Sequence, residues 1–308
     1  MDTYNERTGG NYFSLSNQEN LNSCYWVHTP NTINTNKKLE FRFYRKVNSI
    51  GISDKEISQK KEDKTRIIAL GDSFTEGVGT SYKDSWVKQM ENRWNRKGVE
   101  TINAGIGGSD PVYEFILYRD KLIKYDPDIL ILTINSSDIA DIKSRGGFER
   151  FHSDGTAGSK PPSWEWVYAA NHLFRTLIHN AFGYDSSLSK TPNSSDQNSV
   201  RIIKEALLRF KKLAAANDTE LLIVLQPCIQ EFNNGRHTPF FGQLKLVEFM
   251  KANEFKYLDA SLVFKKQQKS IGDYYYYYYP IDTHFNKKGY KLFGTSVSEK
   301  VEELGFLN

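Results

Sequence analysis

The chain has 308 residues and a mass of 35.5 kDa, enough for two domains or for one α/β domain with insertions. Charged residues make up 25%, which argues against wholesale disorder, and 41 Lys+Arg against 37 Asp+Glu leave a net charge of +4, too weak to point to nucleic acid or an anionic membrane surface. Two cysteines, Cys24 and Cys228, suffice for neither a disulfide framework nor a zinc cluster, so no metal centre is expected.

No stretch approaches the roughly 18 apolar residues of a spanning helix. Residues Met1 to Glu6 show no basic region followed by an apolar run, so no secretory leader is visible. The expectation is a cytoplasmic protein, or a periplasmic or cell-surface one if a leader was cut away.

Residues 1–64 are rich in Asn, Thr, Ser and Lys and read as an N-terminal arm or small β-appendage. Within them Lys38 to Tyr44 alternates with period two, as a half-buried strand does. A βα rhythm then begins. Strands are expected at Arg66–Leu70, Glu100–Ala104, Asp128–Ile134, Glu220–Leu225 and Lys256–Asp259. Helices are expected at Ser85–Lys97, Pro111–Lys124, Ser199–Ala216, Phe240–Asn253 and Lys287–Leu304. Residues 144–196 interrupt the rhythm as an insertion, with one helix at about Ser163 to Ala181. Continuous apolar strands alternating with helices imply a five-stranded parallel sheet covered on both faces, an α/β/α domain over residues 65–308. In such sheets chemistry gathers beyond the carboxyl ends of the strands.

The strongest local signal stands there. Gly71-Asp72-Ser73-Phe74-Thr75-Glu76-Gly77 follows the first strand of that rhythm directly. A serine hydroxyl is a poor nucleophile until a base takes its proton. His284 supplies a candidate base, because the loop before the closing helix returns to the same edge. Asp282, two residues before it, is placed to hold the ring and fix its tautomer.

These residues resemble the SGNH/GDSL hydrolases, the lipases, acyl-esterases and thioesterases of flavodoxin-like fold. Gly71-Asp72-Ser73 looks like the family's first block, Asn103 to Gly108 (Asn-Ala-Gly-Ile-Gly-Gly) like its second, and Asp282-Thr283-His284 like its fifth. The resemblance covers roughly residues 65–305 and implies acyl transfer through an acyl-serine, with no cofactor. It implies that the backbone N–H groups of Ser73 and Gly108 hold the oxyanion. Two departures stand out. The fifth block is usually Asp-x-x-His, and the one-residue gap here is similar to polysaccharide O-acetyltransferase and carbohydrate-esterase relatives. The third block, usually Gly-x-Asn-Asp, reads Ile134-Asn135-Ser136-Ser137-Asp138, which leaves Asn135 or Ser137 as the side-chain oxyanion donor.

Aromatic residues flank the expected mouth: six consecutive tyrosines at Tyr274–Tyr279, and Trp164, Trp166 and Tyr168 in the insertion. Asp72, Tyr279 and Trp164 are therefore candidate substrate contacts, and the expected substrate is a small acyl ester, acetyl, on a carbohydrate. The rivals are O-acetyl transfer to a polysaccharide, a phosphate or flavin cradle built from Ser73, Thr75, Gly77, Gly79, Thr80 and Ser81, and a catalytically silent glycan-binding module. Each has a blander counterpart: a serine that caps a helix, a loop histidine that does the same, tyrosines that fill a core. His172 and His179 share one helix face but have no third ligand spaced with them, and Cys228 reads as a small buried filler.

Overall fold

The computed structural model describes residues 27–61, 63–94, 98–151, 172–182, 195–233, 236–271 and 274–307. The elements run β1 (Ile33–Lys37), β2 (Arg42–Lys46), β3 (Thr65–Leu70), α1 (Ser73–Glu76), α2 (Trp86–Trp94), β4 (Val99–Asn103), α3 (Pro111–Leu117), β5 (Ile129–Ile134), α4 (Ser136–Arg145), α5 (His172–Phe182), α6 (Asp196–Ala215), β6 (Glu220–Leu225), β7 (Phe232–Asn233), β8 (Arg236–His237), α7 (Gln243–Ala252), β9 (Lys256–Asp259), α8 (Ala260–Ile271) and α9 (Lys287–Glu303). None of the described helices is long and apolar enough to cross a membrane.

Five strands form one parallel sheet in the order β4-β3-β5-β6-β9. Successive side chains of a strand point to opposite faces, and here both faces are covered. Ile68, Leu70, Leu130, Leu132, Ile134, Ile223 and Leu225 pack against α3, α4, α6 and α7. Ile67, Ala69, Ile129, Ile131, Leu222 and Val224 pack against α2, α8 and α9. Each large apolar side chain so buried contributes roughly 1.5–3 kcal/mol against exposure. This is the three-layer arrangement that the strand pattern predicts.

The segment before the sheet packs on the same body. β1 and β2 pair antiparallel, and Phe41, Phe43 and Arg45 turn inward while Arg42, Tyr44 and Lys46 face out. Val27 and Ile52 join the core beside β3 and β4. The buried Asp54 carboxylate accepts the Asn103 N–H at 2.6 Å and pairs with Lys88 at 3.0 Å.

Two expectations differ from the structure in detail, and two further helices, α4 and α8, have no expectation to match. The alternation at Lys38 to Tyr44 is half turn and half strand, since the Lys38 N–H closes onto the Phe41 carbonyl at 2.9 Å and β2 begins only at Arg42. Residues 111–124 begin as α3 but widen into a π turn at Tyr118–Leu122 and tighten into a 3-10 turn at Ile123–Tyr125. Helix α4 rises from a polar run in which only Asp138, Ile139 and Ile142 are buried, a pattern too sparse to read as amphipathic. Helix α8 follows β9 with no intervening residue, so no turn signal separates them. Of the helix expected at Ser163 to Ala181, only α5 lies within the described residues, and Trp164, Trp166 and Tyr168 lie outside them.

Candidate active site

Leu70 ends β3, and the chain turns into α1 through Gly71, whose φ of +153° lies in the region that favours glycine. A Cβ there would collide with the hydroxyls of Thr133 and Thr75, which bond each other at 2.8 Å. Asp72 caps α1 by accepting the Phe74 N–H at 3.0 Å, and Gly77 ends it in the left-handed region with φ +88°. Ser73 therefore stands at the first position of a tight strand-to-helix turn.

His284 reaches it from the other end of the chain. Its Nε2 lies 2.7 Å from Ser73 Oγ, and its Nδ1 lies 2.6 Å from Asp282 Oδ1. The ring also packs on Phe74, with centroids 4.6 Å apart. The one-residue gap is bridged by the backbone. Thr283 takes a left-handed φ of +73°, rare for a β-branched residue, and its N–H bonds the Tyr279 carbonyl at 2.9 Å. The Tyr279 N–H bonds the His284 carbonyl at 2.8 Å, which closes a tight loop around the pair. Behind the loop Asn286 caps α9 and gives its amide to the carbonyls of Tyr276 and Tyr278, at 3.0 and 3.1 Å. Phe285 fills the core between Phe264, Tyr278 and Phe293.

Asp282 is only 7% exposed at its side chain. Burial works to raise its carboxyl, but the hydrogen bond from Lys38 and the neighbouring His284 outweigh it and hold the group below the usual carboxylate range. Lys38 Nζ lies 2.6 Å from Asp282 Oδ2, the oxygen that His284 leaves unused.

The second block wraps α1. Gly105 lies so close to the α1 backbone at Thr75 and Glu76 that a Cβ would overlap it. The Gly107 N–H donates to Glu76 Oε2 at 2.7 Å. Glu76 is buried and also takes a bond from His28 at 3.0 Å and an ion pair from Arg45. Burial works against the charged form, but the His28 hydrogen bond, the Arg45 guanidinium and the Gly107 N–H together bring the Glu76 carboxyl down to about 2. Gly108 has φ +75°, and its carbonyl accepts from Arg145. Among the described residues neither the Ser73 N–H nor the Gly108 N–H has an acceptor, in contrast to Gly107.

The third block turns on Asn135, which ends β5 and caps α4 in a capping box with Asp138. Its Oδ1 accepts from the N–H and hydroxyl of Ser137 at 2.8 and 2.7 Å, and its amide donates one hydrogen to Asp72 Oδ2 at 3.0 Å. Among the described residues the Ser137 hydroxyl lies within reach of Asn135 and Asp72 only. A hydroxyl has one hydrogen and a primary amide two, so Asn135 is the side chain with a donor to spare. Behind it stand further buried acids. Burial pushes the Glu114 and Asp138 carboxyls well up, Asp110 and Asp72 adding to it at Glu114, and Glu114 with Asp72 at Asp138.

The other expected substrate contacts are placed differently. Asp72 is turned inward, 5% exposed, and its carboxylate is taken by Phe74, Asn135 and Ser137. Tyr279 gives its hydroxyl to the Gly79 carbonyl at 2.8 Å and packs its ring at a tilt on Phe41, with centroids 4.9 Å apart, so it braces the loop. Tyr277 and Tyr278 fill the core rather than forming a platform. Thr75 and Thr80 are buried, so they do not line an open phosphate cradle with Ser73. Trp164 lies outside the described residues. Among the described residues no three His, Cys, Asp or Glu side chains cluster as metal ligands. Burial, aided by Glu231, pushes the Cys228 thiol up to about 12, as befits a filler.

The family model of the GDSL-like lipase/acylhydrolases matches residues 69–292, from the end of β3 into α9. The chain belongs to that family. It is an enzyme of the SGNH/GDSL esterase type. Among solved structures it is similar to a two-domain esterase active on acetylated mannans, co-crystallised with mannopentaose. There the identity is 13%, the TM-score 0.48, and the match covers 78% of this chain and 49% of the other, so this chain spans about half that esterase's length. It is also similar to a member of the lipolytic G-D-S-L family from Veillonella parvula, with 17% identity, TM-score 0.46 and coverage of 78% and 97%. An acetyl xylan esterase gives 13%, 0.46, and 78% and 98%. No curated protein matches the sequence.

Proposed function

We propose that this GDSL-like esterase works through a Ser73–His284–Asp282 triad. The observation that carries the reading is the unbroken hydrogen-bond chain from Asp282 through both ring nitrogens of His284 to Ser73 Oγ. His284 Nε2 takes the hydroxyl proton as Oγ attacks the ester carbonyl, forming the C–O bond of a tetrahedral intermediate. Asp282 keeps the Nδ1–H in place and stabilises the imidazolium. The oxyanion meets the N–H groups of Ser73 and Gly108 and the spare amide hydrogen of Asn135; one such donor lowers the barrier by about 3–4 kcal/mol. The imidazolium protonates the leaving alcohol. Water, deprotonated by the same histidine, then releases the acid and restores Ser73.

The substrate we propose is a small acyl ester, acetyl, carried on a carbohydrate. The support is the polar neighbourhood of the nucleophile, where Asn135 and Ser137 bond Asp72 beside it and Gly107 approaches Ser73.

Ser73→Ala and His284→Ala should each cut hydrolysis of nitrophenyl acetate by at least roughly 10⁴-fold, and Asp282→Ala by roughly 10–100 times less than either. Full activity in either of the first two rejects the triad. The Asp-x-His spacing also favours a second reading, transfer of the acyl group to a polysaccharide hydroxyl. Incubation with an acetyl donor and oligosaccharides decides it, since free acetate without acetylated sugar excludes transfer.

A further inference from the structure

The β1–β2 hairpin ends 25 positions before the first block, yet it touches the fifth block and the residues just before it at three points. Lys38 Nζ bonds Asp282 Oδ2 at 2.6 Å. The Glu40 carboxylate accepts the N–H of Asp282 at 2.7 Å and that of Ile281 at 3.1 Å. The Phe41 ring packs on Tyr279. The same hairpin sends Arg45 to Glu76, which in turn holds Gly107 of the second block. One element outside the sheet thus braces both the acid loop and the turn that carries the nucleophile.

We propose that Lys38 and Glu40 are positioning residues for the catalytic carboxylate: Glu40 fixes the backbone of the acid loop, and Lys38 holds the oxygen of Asp282 that His284 does not use. The proposal rests on the triad reading above. A carboxylate bound at one oxygen only rotates about its Cβ–Cγ bond and loses its alignment with the imidazole. Two fixed partners, one on each oxygen, remove that freedom. Thr283, held at φ +73°, needs a backbone restraint on the same loop, and the Glu40 carboxylate supplies two hydrogen bonds there.

The charge of Lys38 also has a direction. Asp282 faces His284 on its own loop, Lys38 and Glu40 on the hairpin, and the nearby phenol of Tyr279. Lys38 draws off part of the carboxylate's field, so its removal leaves the imidazolium more strongly held. Lys38 is 51% exposed, and an ion pair of that kind adds little to stability. The effect should therefore appear in catalysis and not in the melting temperature.

The test is the pH profile of nitrophenyl acetate hydrolysis for the wild type, Lys38→Met, Lys38→Arg, Glu40→Ala and Ser73→Ala, with thermal melts alongside. Lys38→Met should lose kcat by roughly 3–10-fold, a fraction of what general-base catalysis supplies, with KM unchanged. The acid limb of its kcat/KM profile should move to higher pH. Lys38→Arg keeps the charge and the donor and should recover most of the rate. Glu40→Ala removes a negative charge at the same place and should lose rate without the upward shift. A Lys38→Met profile that superimposes on wild type while Ser73→Ala is inactive overturns this proposal and leaves the triad standing. An active Ser73→Ala overturns both. A melt lowered in step with the lost rate in both Lys38→Met and Glu40→Ala reduces the hairpin to a structural support.

Discussion

Glu76 lies one turn after the nucleophile and is the most heavily bonded acid of the site. His28, Arg45 and the Gly107 N–H converge on it, and its carboxyl is held at about 2. A depressed carboxyl contributes stability that is fully present above its unfolded value of 4.5 and is lost as pH falls toward 2. Glu76→Gln should therefore destabilise the protein at neutral pH by up to about 3 kcal/mol, and the gap to wild type should close in acid. Urea melts at pH 7 and pH 3 check this. An equal loss at both would mean that shape, not charge, is what Glu76 supplies. None of its partners could be read from the sequence, because His28 and Arg45 lie in a segment whose composition suggested only an appendage.

The elements that build the site were unequally legible. The apolar runs of β3, β5 and β6 stand out because strands buried on both faces have no polar alternation to blur them. The end of β3 puts Ser73 on the same edge as the loop before α9, which carries His284. Helix α4 was hidden by its polar surface, and with it the role of Asn135, which is at once the cap of that helix and the partner of Asp72. The six tyrosines admit two readings, substrate contacts or core filling, and the structure takes the second for Tyr277 and Tyr278 and makes Tyr279 a brace. The loop from β4 to α3 depends on close backbone approach. Gly105→Ala places a Cβ onto the α1 backbone, which cannot yield as a side-chain tip would. It should cost roughly 1–3 kcal/mol by overpacking and, by displacing Gly108, depress kcat more than KM. Steady-state kinetics beside a thermal melt check it, and a variant that loses stability but keeps kcat would show that this loop does not carry the oxyanion donor.

Over the whole molecule, the sheet brings the two ends of the chain's chemistry together. Ser73 and His284 are 211 positions apart and meet at 2.7 Å because β3 lies inside the sheet, between β4 and β5, and α9 packs on α2. The spacing of the fifth block, one residue short, is absorbed locally by Thr283 and requires no rearrangement of the sheet. The N-terminal segment closes the assembly from outside, with Val27 and Ile52 in the core and Lys38 at the acid. Those long-range contacts carry no sequence pattern, since ion pairs between distant loops leave no periodicity behind. The most direct test of the account is labelling with a fluorophosphonate followed by peptide mass spectrometry. The wild type should carry one adduct, on Ser73, and His284→Ala should label at least about 100-fold more slowly. An adduct on another residue, or labelling of Ser73 that is unchanged without His284, would contradict it.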